Sequence, residues 1–213
     1  MKSKFKNANE AFRYFYRLID SKGLEKNETK EMYNIGFYIL NPEDNVITCE
    51  NRNFNLEYAE YEWQWYLSEN PNAEAISKRA KIWKNHMDNN GNVMSNYGWQ
   101  WNRNHQLEFI IDMLKKNKET RRAVLSIYDA KEIGKYKYDT PCTNSIHFQI
   151  INNKLCMTVN MRSNDLWFGF CNDQYCFSNL QKMISNELYI GLGWYYHFTS
   201  NMHLYNQFLN KQI

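Results

Sequence analysis

Two short runs with period-two alternation constrain the fold most: Ile146, Phe148, Ile150 and then Leu155, Met157, Val159, Met161, separated by Asn152-Asn153-Lys154. Alternation places the apolar side chains on one face, and asparagine accepts the left-handed backbone of a tight turn. The pattern therefore predicts an antiparallel hairpin with one buried face. A buried face needs a cover. Cys176, Leu180, Met183, Ile184 and Leu188 follow at helical spacing and predict a helix packed on that sheet.

The same reading predicts a helix over residues 8–20, capped by Asn7 or Asn9, and a strand near 34–40. It predicts helices over 56–67 and 75–88, a turn at Asn89-Asn90-Gly91, an extended segment from Val93 to Trp101, a helix over 105–116 and a strand over 123–128. With only three prolines and eight glycines, no linker, repeat or low-complexity tract interrupts the 213 residues. The expectation is a single domain over 1–213 of α+β class, with helices packed on a mixed, mostly antiparallel sheet. A chain of this length buries roughly 70% of its extended surface.

A net charge of +3 is too small to require a nucleic-acid partner. Five cysteines, odd in number and without a CxxC pair, argue against a disulfide scaffold or a zinc site and fit a reducing cytoplasm. The charged N-terminus has no apolar signal core, and no apolar run approaches the ~18 residues of a membrane span.

The chemistry concentrates between Arg121 and Tyr205. Cys142, behind Pro141, reads either as a buried structural thiol or as a nucleophile whose thiolate is stabilised by Arg121, Arg122 and Arg162, if strand pairing gathers them. Arg121-Arg122 and Arg162-Ser163 lie at predicted strand ends. They read as solvated arginines or as guanidinium and hydroxyl ligands for a phosphate. His203 and Tyr205 share one side of a strand end, a placement that is structural or suited to a sugar hydroxyl.

These elements, with Asn92–Trp101 (NVMSNYGWQW), Pro141-Cys142-Thr143-Asn144 and Asn160–Asp173 (NMRSNDLWFGFCND), resemble the thymidylate synthase superfamily in order and spacing. The wording SNYGW, CTN, NMRSND and FGFxND is closest to its phage deoxycytidylate (dCMP) hydroxymethylase branch. The resemblance covers roughly residues 56–208. It implies a homodimer through the sheet face and transfer of a hydroxymethyl group from 5,10-methylenetetrahydrofolate to C5 of a cytidine 5′-monophosphate. A methyl-transferring or ribonucleotide-specific relative, thymidylate synthase itself, and a non-catalytic nucleotide- or RNA-binding protein are the other readings.

By resemblance, Cys142 is the nucleophile that adds to C6, and Arg162 with Ser163 binds phosphate in the same subunit. Arg121 and Arg122 reach the partner's phosphate, Glu62 handles protons and water, and His203 with Tyr205 holds the sugar. Tyr97 and Trp83 resemble cleft residues near the base and the folate, and Asp165 the folate-contacting acid. Without the resemblance, Glu62 reads as a solvated helix residue and Asp173 as a helix cap. Asp173 stands where thymidylate synthases carry asparagine, so a carboxyl group reads the base edge and favours cytosine. No metal is implied. The family's arginine-bearing phosphate loop has no counterpart among residues 23–55, Thr143 replaces its histidine, and Ile213 closely follows the His-x-Tyr strand without the tail that closes over folate in relatives.

Overall fold

A computed structural model describes all residues 1–213. Its strands are β1 (Lys4–Phe5), β2 (Leu24–Glu25), β3 (Thr29–Ile39), β4 (Val124–Ser126), β5 (Thr143–Ile151), β6 (Lys154–Met161), β7 (Asn164–Asp165) and β8 (Gly191–Tyr205). They form one mixed sheet in the order β1-β3-β8-β6-β5-β4, with β2 added to β3 and β7 to β8. The α-helices are α1 (Ala8–Lys22), α2 (Leu56–Leu67), α3 (Glu74–Ser77), α4 (Tyr97–Asn102), α5 (Gln106–Lys116) and α6 (Gly169–Glu187).

The hairpin forms as its alternation predicts. Ile146 faces Val159 and Phe148 faces Met157, and Asn152 and Asn153 turn the chain with φ of 52° and 57°. Pairing of β6 with β8 is parallel, and α6 crosses over between them. One apolar core lies between the sheet and helices α1, α2 and α6; in it the rings of Phe5, Phe15, Phe37 and Phe170 meet at centroid distances of 4.5–5.8 Å.

Three local expectations fail. The helix over 75–88 is only α3, followed by a 3-10 turn at Lys81–Asn85, because Ala80 is extended. That break lets Trp83 fold back onto Trp65, with ring centroids 5.1 Å apart, so a tertiary contact overrides helix propensity. Residues 97–102 are helical rather than extended. Asn96 accepts from the Trp99 amide and caps α4, and Tyr97 and Trp101 bury one face at i,i+4 spacing. At Gly98 a β-carbon would stand 1.7 Å from the Tyr66 carbonyl oxygen, so only glycine permits this approach of α4 to α2. The third is Asp173 as a helix cap, because the late helix begins four residues earlier, at Gly169. Asp165 accepts from the backbone N–H groups of Trp167 and Phe168 at 3.0 Å each and takes the capping part expected of Asp173.

One irregularity in β8 sets the site. Tyr195, His197 and Thr199 are buried, and then Met202 and Leu204, so the inward alternation slips by one residue near Ser200, opposite Asn34 with its φ of 53°. The slip turns His203 and Tyr205 off the core face.

Candidate active site

A cleft of about 1010 Å³ opens between α2, the 79–86 segment, the loop before β5 and the connection from β6 to α6. Cys142, Arg162, Ser163, Asp165, Asp173, Glu62, Trp83, Tyr97, His203 and Tyr205 all line it. Arg121 and Arg122 do not. They are exposed at the foot of β4, in a separate depression of about 600 Å³ beside Phe109, Asp112 and Lys116.

Cys142 ends the loop that leads into β5, half-buried, with its Sγ 3.7 Å from Arg162 Nη2. The Arg162 guanidinium is aimed by the Pro141 and Thr140 carbonyls at 3.1 and 2.9 Å, and its backbone N–H donates to the Cys142 carbonyl at 2.8 Å. Two strand ends thus clamp the thiol and the arginine together. The expected gathering of three arginines does not occur within the chain. Burial pushes the Cys142 thiol up to about 11, with Asp173, Asp139 and Asp165 adding to it and Arg162 alone opposing. The free site therefore holds the thiol protonated.

Two carboxyl groups in the cleft are buried, and burial favours the protonated form of each. Asp173, on the second turn of α6, accepts from Asn164 Nδ2 at 2.9 Å; burial, then the charge of Glu62, holds its pKa well above the carboxylate range. Glu62 is buried on α2, where the Tyr58 and Tyr66 hydroxyls donate to its Oε1 at 3.3 Å each and Oε2 has no partner. Burial raises its pKa from 4.5 to about 7 against those two hydrogen bonds. The reading of Glu62 as a solvated helix residue is thereby excluded.

This shift has a thermodynamic consequence. The unfolded chain ionises Glu62 near pH 4.5 and the folded chain only near 7, so this group's contribution to stability falls as pH rises between those values and then levels off. A shift of that size corresponds to about 3 kcal/mol. Glu62→Gln is therefore expected to be more stable than the parent by up to about 3 kcal/mol at pH 8. The advantage should shrink as pH falls toward 4.5. Urea unfolding across that range checks it; a pH-independent difference contradicts it.

On the opposite wall, His203 Nδ1 lies 3.0 Å from Asn201 Oδ1, and burial lowers its pKa. Tyr97 is buried and accepts from the Thr143 amide at 3.3 Å, which ties α4 to the first residue of β5, next to the cysteine. Asp165 is committed to backbone donors at the start of α6.

Three cleft residues escaped the sequence reading. Tyr58 links Trp83 to Glu62, a signal present only as i,i+4 spacing to Glu62. Asp139 is buried and held by the Ser95 amide and hydroxyl at 2.6 and 2.5 Å. Arg52 is also buried; its Nε donates to the Trp167 carbonyl at 2.5 Å, and its guanidinium lies 5.1–5.8 Å from the rings of Phe54, Trp167 and Phe168 with no carboxylate partner. A lone arginine in a polar loop carries no periodic signal.

Against known proteins, the thymidylate synthase family profile matches residues 28–212. The chain belongs to the thymidylate synthase family. Among curated relatives it is 31% identical over 178 residues to the deoxyuridylate hydroxymethyltransferase of Pseudomonas phage M6, covering 81% of this chain and 51% of that protein. It is 33% identical over 144 residues to the deoxycytidylate 5-hydroxymethyltransferase of Enterobacteria phage T4, covering 62% and 57%. It is 28% identical over 180 residues to the thymidylate synthase of Fusobacterium nucleatum subsp. nucleatum, covering 80% and 64%. The chain thus spans about half to two thirds of these relatives' length. No helix of this family member is long and apolar enough to cross a membrane.

Proposed function

We propose that this chain transfers a hydroxymethyl group from 5,10-methylenetetrahydrofolate to C5 of deoxycytidylate. The observation that carries the reading is the placement of a buried Asp173, whose burial favours the protonated form, in the same cleft as Cys142, Arg162 and Glu62. The Cys142 thiol gives its proton to water in the cleft, Arg162 stabilises the thiolate at 3.7 Å, and the sulfur bonds to C6 as the C5–C6 π pair shifts through C4 toward N3. Negative charge then builds on N3, and the Asp173 carboxyl delivers its proton there. The carboxylate left behind accepts from both N3–H and the 4-amino group. Against uracil the same carboxylate faces the O4 lone pairs.

Glu62 carries a proton near neutral pH and has one oxygen free, which suits it to proton and water handling at C5. Trp83 and Phe168 offer flat walls and Arg52 a buried unpaired cation, a set that fits a pterin with an anionic tail. Bound there, methylenetetrahydrofolate supplies the one-carbon unit. The cleft is large enough for both ligands.

A homodimer through the sheet face would bring in Arg121 and Arg122, which point away from their own cleft. The partly exposed cluster of Tyr38, Trp194 and Tyr196, with centroids 4.6–5.2 Å apart, supports that face. A second reading, action on deoxyuridylate, is favoured by the name of the relative from Pseudomonas phage M6.

The experiment is release of C5 tritium from dCMP, CMP and dUMP with methylenetetrahydrofolate, together with the product mass. The proposal expects fastest release from dCMP and a product heavier by a hydroxymethyl group. Preference for dUMP supports the second reading, and a methyl product makes the chain a thymidylate synthase-like methyl donor system instead.

A further inference from the structure

Glu62 sits at the end of a short hydrogen-bonded relay that starts at Trp83, on the segment that follows α3. The Trp83 indole N–H donates to the Tyr58 hydroxyl at 2.9 Å, and Tyr58 donates in turn to Glu62 Oε1 at 3.3 Å. Tyr66 donates to the same oxygen. Both hydroxyls therefore load one oxygen, while Oε2 is buried with no partner. A tyrosine hydroxyl has a single proton, so acceptance from Trp83 fixes the direction in which Tyr58 donates.

The groups around the carboxylate bring no compensating cation. Tyr58 and Tyr66 approach on α2, and Asp173 and Cys176 from α6, where Glu62's charge is felt. From α4, Tyr97 packs edge-on against Tyr66 with centroids 5.7 Å apart. None of the salt bridges in the structure involves Glu62. Hydrogen bonds to the anion are thus the chief favourable contacts its charged form has, and each weighs more in a dry site than in water.

We infer that Tyr58 is a positioning residue for Glu62: oriented by Trp83, it occupies Oε1, so that Oε2 is the oxygen that exchanges a proton with the nucleotide, directly or through water. The inference rests on the reading of Glu62 as the proton-handling group. It adds that the proton affinity of Glu62 is set from the Trp83 side of the cleft. A ligand stacked on that indole would then adjust the acid that works on C5.

The test is a titration of the Glu62 carboxyl carbon by NMR on uniformly 13C-glutamate-labelled protein, its signal assigned by its loss in Glu62→Gln. In Tyr58→Phe the anion loses one donor, so the midpoint should rise by about 1 pH unit with the thermal midpoint of unfolding little changed. Trp83→Phe changes no residue of α2 and keeps a ring against Trp65, and it should move the midpoint in the same direction by less. It serves as the deciding variant if Tyr58→Phe does not fold. An unchanged midpoint in the folded variants overturns the relay. The pH profile of tritium release from dCMP, run in parallel, should shift to higher pH in Tyr58→Phe; a uniform loss at every pH marks Tyr58 as merely structural. Absence of release from every nucleotide in the parent protein would instead overturn the proposed activity, and the NMR titration would still judge the relay.

Discussion

Asp173→Asn is expected to reverse the choice of base. In the parent, the ratio of kcat/KM for dCMP over dUMP should exceed one; in the variant it should fall by about 10- to 100-fold. The argument is one of donors and acceptors. Burial, and then the charge of Glu62, favour the protonated form of Asp173; having given that proton to N3 it offers only acceptors, which match N3–H and the 4-amino group of the activated cytosine. Asparagine presents a fixed donor and a fixed acceptor, which match O4 and N3–H of uracil. An unpaired buried polar group costs about 1–3 kcal/mol, which is the stated range in rate. Asn164 Nδ2 now donates to Asp173 Oδ2 at 2.9 Å and would meet either the oxygen or the amide nitrogen of the new side chain. In its favourable pairing the asparagine oxygen accepts from Asn164 with one lone pair and from N3–H with the other, and the amide nitrogen donates to O4. The measurement is steady-state tritium release with both nucleotides; an unaltered ratio would remove Asp173 from base recognition.

Much of the architecture was legible because it rests on local rules. The hairpin of β5 and β6 declares itself through alternation and two asparagines, and α1 and α5 through apolar stripes, the first with its cap at Asn7. What failed depended on distant partners. The break after α3 is made by Trp83 reaching Trp65 and Tyr58, and α4 by its close approach to the Tyr66 carbonyl over Gly98, neither of which is a neighbour in sequence. Asn96 with Tyr97 and Trp101 did carry a helix signal, a cap and an i,i+4 pair, that the aromatic run obscured.

For the site, motif resemblance named the residues, but their state is a product of folding. Glu62 reads as solvated on α2 until Tyr58, Tyr66 and α6 close over it. Burial likewise reverses the expected sign at Cys142: a proline and scattered arginines suggest an acidic thiol, and the fold delivers one arginine and three aspartic side chains around a buried sulfur. Arg52 and Asp139 were invisible because their partners, the Trp167 carbonyl and Ser95, lie far along the chain.

Cys142→Ala is the second large effect. Removing the sulfur leaves the phosphate, sugar and base contacts in place but eliminates the covalent route to an activated C5, so turnover should fall by about 10⁴-fold or more while nucleotide binding changes little. Cys49, Cys156, Cys171 and Cys176 are buried and should not substitute for it.

The most direct measurement captures the bond itself. A nucleotide with fluorine at C5 can be attacked at C6 and can take up the one-carbon unit, but the fluorine cannot leave as a cation in place of the proton, so the adduct persists. Incubated with methylenetetrahydrofolate and 5-fluoro-dCMP, the protein should gain the combined mass of both ligands, and the modified peptide should be the one that contains Cys142. It should react more slowly with 5-fluoro-dUMP, and the Cys142→Ala protein not at all. An unmodified mass with both nucleotides, or an adduct on a cysteine other than Cys142, would contradict the account.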